Sequence, residues 1–200
     1  MVSKNKIIVF VKNAISGKVK TRLAKTIGKD EALRVYLRLL AITKEEVSKV
    51  RAEKEVWYAW EVSENDIWDE NYFKKKVQIE GDLGEKMKDA FKKSFDSGGE
   101  KIVLIGSDCP TLTNEVLEQA FNELNTSDVV FGPSEDGGYY LIGMSSYNPE
   151  VLEGIDWSTE KVMEQTEAKA KLNGIKLTKL KYLNDIDTEQ DWKEYLANVN

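Results

Sequence analysis

The chain announces itself with an uninterrupted apolar run, Ile7-Ile8-Val9-Phe10-Val11, of the kind that forms a strand buried on both faces. From Lys29 to Val50 the period changes. Ala32, Val35, Leu39, Ile42 and Val47 recur near one helical face, with no Gly or Pro to interrupt them. Val56–Trp60 predicts a second strand. A polar, acidic helix or loop around Asn65–Lys75 follows, then a short third strand at Val77–Ile79. Gly81-Asp82-Leu83-Gly84 turns into a helix over Glu85–Phe95, which Ser97-Gly98-Gly99 breaks.

The alternation continues to the end of the chain. Strands are predicted at Ile102–Ile105, Val129–Phe131, Gly138–Met144 and Ile175–Leu180. Thr113 is placed to cap one helix, and Ser158 or Thr159 to cap another that runs to about Leu172. Thr188-Glu189-Gln190-Asp191 has the form of a capping box and opens the last helix. Strands alternating with helices imply an α/β fold with a mainly parallel central sheet, covered on both faces. Ligands of such sheets bind at the carboxyl ends of the strands. Two hundred residues with no repeat and no long linker predict a single domain, 1–200.

Composition changes the picture mainly by exclusion. The chain has no histidine and one cysteine, which removes Ser-His-Asp and Cys-His catalysis, histidine zinc sites and thiolate clusters. A metal here must have oxygen ligands, which points to magnesium, manganese or calcium. A lone cysteine cannot form an internal disulfide and fits a reducing compartment, so the expected location is cytoplasmic. No segment is apolar enough to span a bilayer, and the start lacks a signal-peptide pattern. The net charge of -6 argues against nucleic-acid and anionic-membrane partners.

Charge is unevenly spread. Residues 1–29 hold eight Lys/Arg and no acid, so all 35 acids lie downstream. The basic loop directly follows the first strand, with Lys12, Gly17, Lys18, Lys20 and Arg22. A phosphate needs cations and a flexible backbone, and this loop offers both. It is neither a Walker A loop nor G-x-G-x-x-G; the alternative is a solvated basic turn. Asp108, in Gly106-Ser107-Asp108-Cys109-Pro110, follows a buried strand and suits a divalent cation or a simple turn. Cys109 reads as packing. Glu135-Asp136-Gly137-Gly138 suits either a hairpin or a hydroxyl-binding turn. Asp185-Ile186-Asp187-Thr188 suits a second metal ligand or helix capping. Gly81, Asp82 and Lys86 form a weaker phosphate candidate, and Trp157 could flank an acceptor pocket.

Together these motifs resemble the bacterial and archaeal DUF2064 family. The similarity rests on Lys12-x4-Gly17-x-Val19-Lys20-Thr21-Arg22-Leu23, Gly81-Asp82-Leu83-Gly84-Glu85-x-Met87, Gly106-Ser107-Asp108-Cys109-Pro110, Gly132-Pro133-x2-Asp136-Gly137-Gly138-Tyr139-Tyr140-Leu141-Ile142-Gly143 and Asp185-x-Asp187-Thr188. Members are described as glycosyltransferases of the GT-A, nucleotide-diphospho-sugar transferase fold, some linked to arsenosugar biosynthesis. The resemblance implies a three-layer α/β/α sandwich. It also implies nucleotide binding through Lys12, Gly17, Lys20 and Arg22; Gly81, Asp82 and Lys86 stay further candidates on the strength of their own turn. Mg2+ or Mn2+ would sit on Asp108 and Asp187, with Asp185 as a neighbour or alternate. Asp136 and Glu135 would act at the sugar or the acceptor. The chain departs from the family loop Lys-Ala-Pro-Val-Pro-Gly, having Ala14 and Ser16 where the prolines stand. That predicts a less preorganised loop.

The function expected is metal-dependent transfer of a sugar from a nucleotide-diphospho-sugar to a small-molecule acceptor. The alternatives are nucleotidyl transfer from an NTP to a phosphorylated acceptor, and non-catalytic nucleotide binding. The sequence leaves the oligomeric state open.

Overall fold

A computed structural model describes residues 4–199; the outermost ends of the predicted domain, residues 1–3 and 200, lie outside it. The sheet is organised around β1 (Asn5–Val11), the run that leads the sequence pattern. Ile7, Val9 and Val11 enter one core, and Ile8 enters another, with Phe10 packed against it. Each face therefore needs a cover. Helices α2 (Lys29–Lys49) and α4 (Asn114–Glu123) supply the first, through Tyr36, Leu40, Val47, Val116, Leu117 and Phe121. Helices α3 (Leu83–Asp96) and α5 (Val162–Leu172) supply the second, through Met87, Ala90, Phe91 and Met163. A third cluster joins α1 (Thr21–Ile27) and α6 (Glu189–Asn198) to α2 around Leu23, Val35, Leu39 and Ile186. The architecture is a three-layer α/β/α sandwich, as the resemblance implies.

The remaining strands are β2 (Glu53–Tyr58), β3 (Phe73–Val77), β4 (Lys101–Ile105), β5 (Val129–Pro133), β6 (Tyr139–Met144) and β7 (Leu177–Lys179). Their order is β3-β2-β1-β4-β6-β5-β7. All neighbours are parallel except β6, which runs antiparallel to both β4 and β5. The connection Ser134–Gly138 is too short for a parallel crossover, so β6 must return as a hairpin beside β5. The loops after β1, β4 and β5 consequently open on one edge of the sheet.

Several boundaries differ from the sequence reading. The third strand is Phe73–Val77 rather than Val77–Ile79, and it lies where a polar helix or loop was expected. It is an edge strand of sequence Phe-Lys-Lys-Lys-Val, apolar only at its ends. Its lysines pair with acids: Lys74 with Glu53 at 2.9 Å, Lys75 with Asp66 at 3.0 Å, Lys76 with Glu55 at 2.9 Å. Charge on an edge strand also discourages pairing with another chain. Glu53 and Glu55 belong to β2, which starts at Glu53, ahead of the expected Val56, and ends at Tyr58, short of the expected Trp60. Helix α1 begins inside the segment read as loop. Helix α5 begins at Val162, not after Ser158 or Thr159; the Thr159 hydroxyl donates to the Asp156 carbonyl at 2.7 Å and accepts from the Lys161 amide at 3.3 Å, within a turn that precedes the helix. Thr113 holds the N-cap position of α4 without a side-chain bond; the Asn114 amide donates to Glu46 instead, at 2.8 Å.

Candidate active site

The loop leaving β1 is fixed by hydrogen bonds where the prolines of the family pattern are missing. Buried Asn13 donates from Nδ2 to the Glu61 carbonyl at 2.8 Å and accepts from the Trp60 amide at 3.2 Å. Ser16 donates to Asp30 at 2.7 Å. Tyr36 of α2 clamps the loop's start, its hydroxyl accepting from the Lys12 amide at 2.8 Å and donating to the Lys12 carbonyl at 2.9 Å. The softer loop expected from the sequence is thus tied down by side chains. Gly17 has φ 76° with open space around its missing Cβ, so the turn demands glycine and no close neighbour does.

Lys20 ends the loop in the left-handed region, with φ 46° and ψ 47°, an unusual conformation for a residue with a side chain. Its side chain is 4% exposed. The ammonium donates to the Ile186 carbonyl at 2.6 Å and lies 3.0 Å from Asp108 and 3.6 Å from Asp187. Arg22 is 71% exposed and reaches Asp187 at 3.1 Å. Lys20 and Arg22 therefore converge on the Asp187 carboxylate at the start of α1.

Asp185 and Asp187 come from the irregular segment between β7 and α6. Backbone bonds lash that segment to the sheet edge: Leu183 amide to Pro133 carbonyl at 3.2 Å, and Ile186 amide to Asp108 carbonyl at 2.9 Å. Tyr140 adds a bond from its hydroxyl to the Lys181 carbonyl at 2.9 Å. The capping box also forms. The Asp191 carboxylate accepts from the Thr188 amide at 2.7 Å and the Asp187 amide at 2.9 Å. Capping by Thr188 and Asp191 leaves the Asp187 carboxylate facing Lys20 and Arg22.

The hairpin turn carries Asp136, which accepts from Ser134 Oγ and from the Gly138 amide at 3.1 Å. Gly137 has φ 85°, and a Cβ there would meet the Glu160 carbonyl oxygen at 2.2 Å. Both the hairpin and the close approach are therefore real. Glu135 accepts from Asn184 Nδ2 at 2.9 Å. Across the opening, Trp157 sits where a Cβ on Gly84 would meet its Nε1 at 2.7 Å, and its ring meets Tyr139 edge-on at 6.4 Å.

These groups line a cavity of about 500 Å³ that contains Lys12, Lys20, Arg22, Asp108, Asp136, Asp185, Asp187 and Trp157. A second cavity of about 640 Å³ shares Arg22, Ser134, Asp136, Asp185 and Asp187 with it, and adds Glu135, Tyr182 and Tyr195. Gly17, Gly81, Asp82 and Lys86 do not line either one. Asp82 and Glu85 form the capping box of α3, and a Cβ on Gly81 would meet Glu85 at 2.3 Å; that turn is explained by helix capping. The sequence reading missed Tyr36, whose position on the core face of α2 marks it only as packing. It also missed Ser158–Glu160 as cavity lining, with Ser158 and Thr159 read only as helix caps.

Burial and like charge set the electrostatics. Asp185 is pushed up to about 7, first by desolvation, then by Asp108; Lys20 pulls down, and Asp136 and Asp187 push up. Tyr36 rises to about 12 through desolvation, opposed by a hydrogen bond with Ser107 and reinforced by Asp108. Cys109 is buried and likewise pushed up to about 12, mainly by desolvation, which suits packing and not nucleophilic attack. Among the described residues, no three His, Cys, Asp or Glu side chains are grouped to hold a metal by themselves. No described helix is long and apolar enough to cross a membrane.

An α/β/α sandwich with this strand order and a cation loop facing aspartates defines the nucleotide-diphospho-sugar transferase class of fold. Residues 42–159 match the family model described as uncharacterized protein conserved in bacteria (DUF2064), and the chain belongs to that family. A crystal structure from Desulfovibrio desulfuricans, provisionally named a nucleotide-diphospho-sugar transferase, is 34% identical with a TM-score of 0.90, covering 99% of this chain and 89% of that one. Two more distant structures share the fold. One is 4-diphosphocytidyl-2C-methyl-D-erythritol synthase from Anaerococcus prevotii, at 11% identity and TM-score 0.61, covering 98% of this chain and 96% of that one. The other is Rv0371C of Mycobacterium tuberculosis in complex with manganese, at 12% identity and TM-score 0.58, covering 98% and 100%. No protein of curated function matches the chain.

Proposed function

We propose that this protein, acting as one domain, transfers a sugar from a nucleotide-diphospho-sugar to a small hydroxylated acceptor. The observation that carries the reading is the meeting of two cavities at one wall of aspartates, with exposed Lys12 in the first and Arg22 at the border of both. The relative at 34% identity carries a name of the same class.

Lys12 is exposed and, among the described residues, has no ion-pair partner; Arg22 stands at the mouth. Lys12 is free to take phosphate oxygens, and Arg22, which holds Asp187 through one nitrogen, has further donors for them; both would stabilise charge that grows on the departing diphosphate. The donor set tests the fit of a metal. Asp108 and Asp187 offer hard oxygen ligands, 41% and 44% exposed, and already share one positive charge. Mg2+ characteristically binds one or two carboxylates and completes its shell with substrate phosphates. The residues fit an ion that arrives with the nucleotide, and Mn2+ would suit the same donors. Bound there, it would neutralise the diphosphate leaving group. In the second cavity the free oxygen of Asp136 would orient or deprotonate the acceptor hydroxyl. Glu135, held by Asn184, would position the acceptor.

Nucleotidyl transfer to a phosphorylated acceptor fits this second cavity less well. Its lining holds Glu135, Asp136, Asp185, Asp187, Asp191 and Glu194 against Arg22, which repels a phosphate. The decisive variant is Asp108→Asn. It should keep the wild-type fold by circular dichroism and lose Mn2+-dependent binding of nucleoside diphosphates in calorimetry. Wild-type affinity in that variant would remove Asp108 from the site. Release of pyrophosphate from an NTP, instead of nucleoside diphosphate from a nucleotide-sugar, would replace glycosyl with nucleotidyl transfer.

A further inference from the structure

Lys20 is the one basic residue of the loop that the fold withdraws from solvent. Its side chain is 4% exposed, against 71% for Arg22. Its ammonium meets the Ile186 carbonyl at 2.6 Å, Asp108 at 3.0 Å and Asp187 at 3.6 Å. One N–H donor is spent on the Ile186 carbonyl, and the two carboxylates hold the ammonium as an ion pair at 3.0 and 3.6 Å. A phosphate drawn to this nitrogen would meet the two carboxylates beside it, which repel it. The left-handed backbone at Lys20 is held by surrounding structure, with the residue as N-cap of α1 and its carbonyl accepting from Ala24 at 2.8 Å. The strained conformation aims the side chain inward, into the carboxylate pair.

We propose that Lys20 is a tethered counter-ion for Asp108 and Asp187, occupying in the free protein the charge position that a divalent cation would claim. This rests on the reading of those two aspartates as the metal-binding pair. It reverses the assignment of Lys20 as a phosphate ligand and leaves that task to Lys12 and Arg22. The consequence is selection for a cation and a nucleoside diphosphate together. A divalent ion alone must compete with a cation already in place, one that cannot diffuse away. When phosphates accompany the ion, they give the displaced ammonium a new partner, so the two ligands favour each other. The carboxylates stay ordered without metal because Lys20 offsets their repulsion. Lys20 is thus a positioning residue, and it sets the affinity for free metal without supplying a ligand to it.

The test is titration of Mn2+ alone, followed by electron paramagnetic resonance, into wild type, Lys20→Met and Lys20→Arg. Removing a unit charge about 3–4 Å from the carboxylates should tighten Mn2+ binding by about tenfold or more in Lys20→Met, even with strong solvent screening. Lys20→Arg keeps the charge and should bind Mn2+ as weakly as wild type. A side chain with only a structural role would weaken metal binding when removed, so a gain of affinity separates the two. Equal or weaker binding by Lys20→Met overturns the proposal. A second measurement needs no variant: the wild-type Lys20 ammonium resonance, in 15N-lysine-labelled protein. It should hold its position with Mg2+ alone and shift when Mg2+ is added with ADP, GDP, UDP, CDP or dTDP; a full shift with Mg2+ alone also overturns the proposal. The metal–nucleotide reading fails separately, if none of those nucleotides binds wild type with Mn2+ present.

Discussion

The carboxyl of Asp185 is pushed up to about 7, and burial is the first cause, followed by the neighbouring Asp108. An unfolded aspartate titrates near ~3.9. The native metal-free protein therefore binds a proton at Asp185 between roughly pH 4 and 7 that the unfolded chain has released. That contribution is fully present below the lower value and is lost as pH rises through about 7. The melting temperature of the metal-free protein should fall between about pH 5.5 and 8, by an amount equivalent to at least ~1 kcal/mol, or ~2–4 °C. Asp185→Asn should remove that fall and melt higher than wild type at pH 8. A wild-type slope in the variant would show that other groups govern this range. Asn13 makes a different kind of contribution. It holds the loop to the backbone of Trp60 and Glu61 by two hydrogen bonds from a buried side chain. Asn13→Ala should cost about 1–3 kcal/mol, because it leaves buried polar groups unpaired. It should also weaken nucleoside diphosphate binding, through a loop no longer held in shape; unchanged affinity in calorimetry would show that the loop is ordered by other means.

At the scale of elements, the capping boxes at Asp82–Glu85 and Thr188–Asp191 do separate jobs. The first only starts a helix. Asp82→Ala should cost about 1 kcal/mol and lower the melting temperature by roughly 2–4 °C, with nucleotide affinity unchanged. A loss of affinity would return Asp82 to the site. The second box fixes the segment that presents Asp187. Which elements could be read from the sequence follows from where their stabilising contacts lie. The core strands and α2 carry their apolar period in the chain itself, and the Thr188–Asp191 capping box lies in adjacent residues; the Asp82–Glu85 box reads instead as a phosphate-binding turn. Strand β3 carries no such period, since its stability comes from acids on β2 and from Asp66, invisible to a pattern of apolar positions. Helix α1 was hidden for a similar reason. Its start depends on a left-handed Lys20 held by partners more than 80 residues distant in the chain, such as Asp108.

At the scale of the whole molecule, the parallel strands and the single returning strand β6 bring the loops after β1, β4 and β5 to one edge. The site then joins three distant parts of the chain, at Lys20, Asp108 and Asp187. The candidate acids and cations could be named from the sequence because strand ends bearing them are recognisable. Their pairing could not, because it depends on the irregular segment lashed to the sheet by Leu183 and Ile186. A ligand that bridges these parts binds only the folded chain and must stabilise all of it. The most direct measurement is a thermal-shift series with nucleoside diphosphates, triphosphates and nucleotide-sugars, each with and without Mn2+. At 100-fold excess over the dissociation constant, at least one nucleoside diphosphate or its sugar conjugate should stabilise the protein by about 2.7 kcal/mol, and only with Mn2+ present. No shift with any nucleotide, or a shift indifferent to Mn2+, would contradict a metal-dependent nucleotide site.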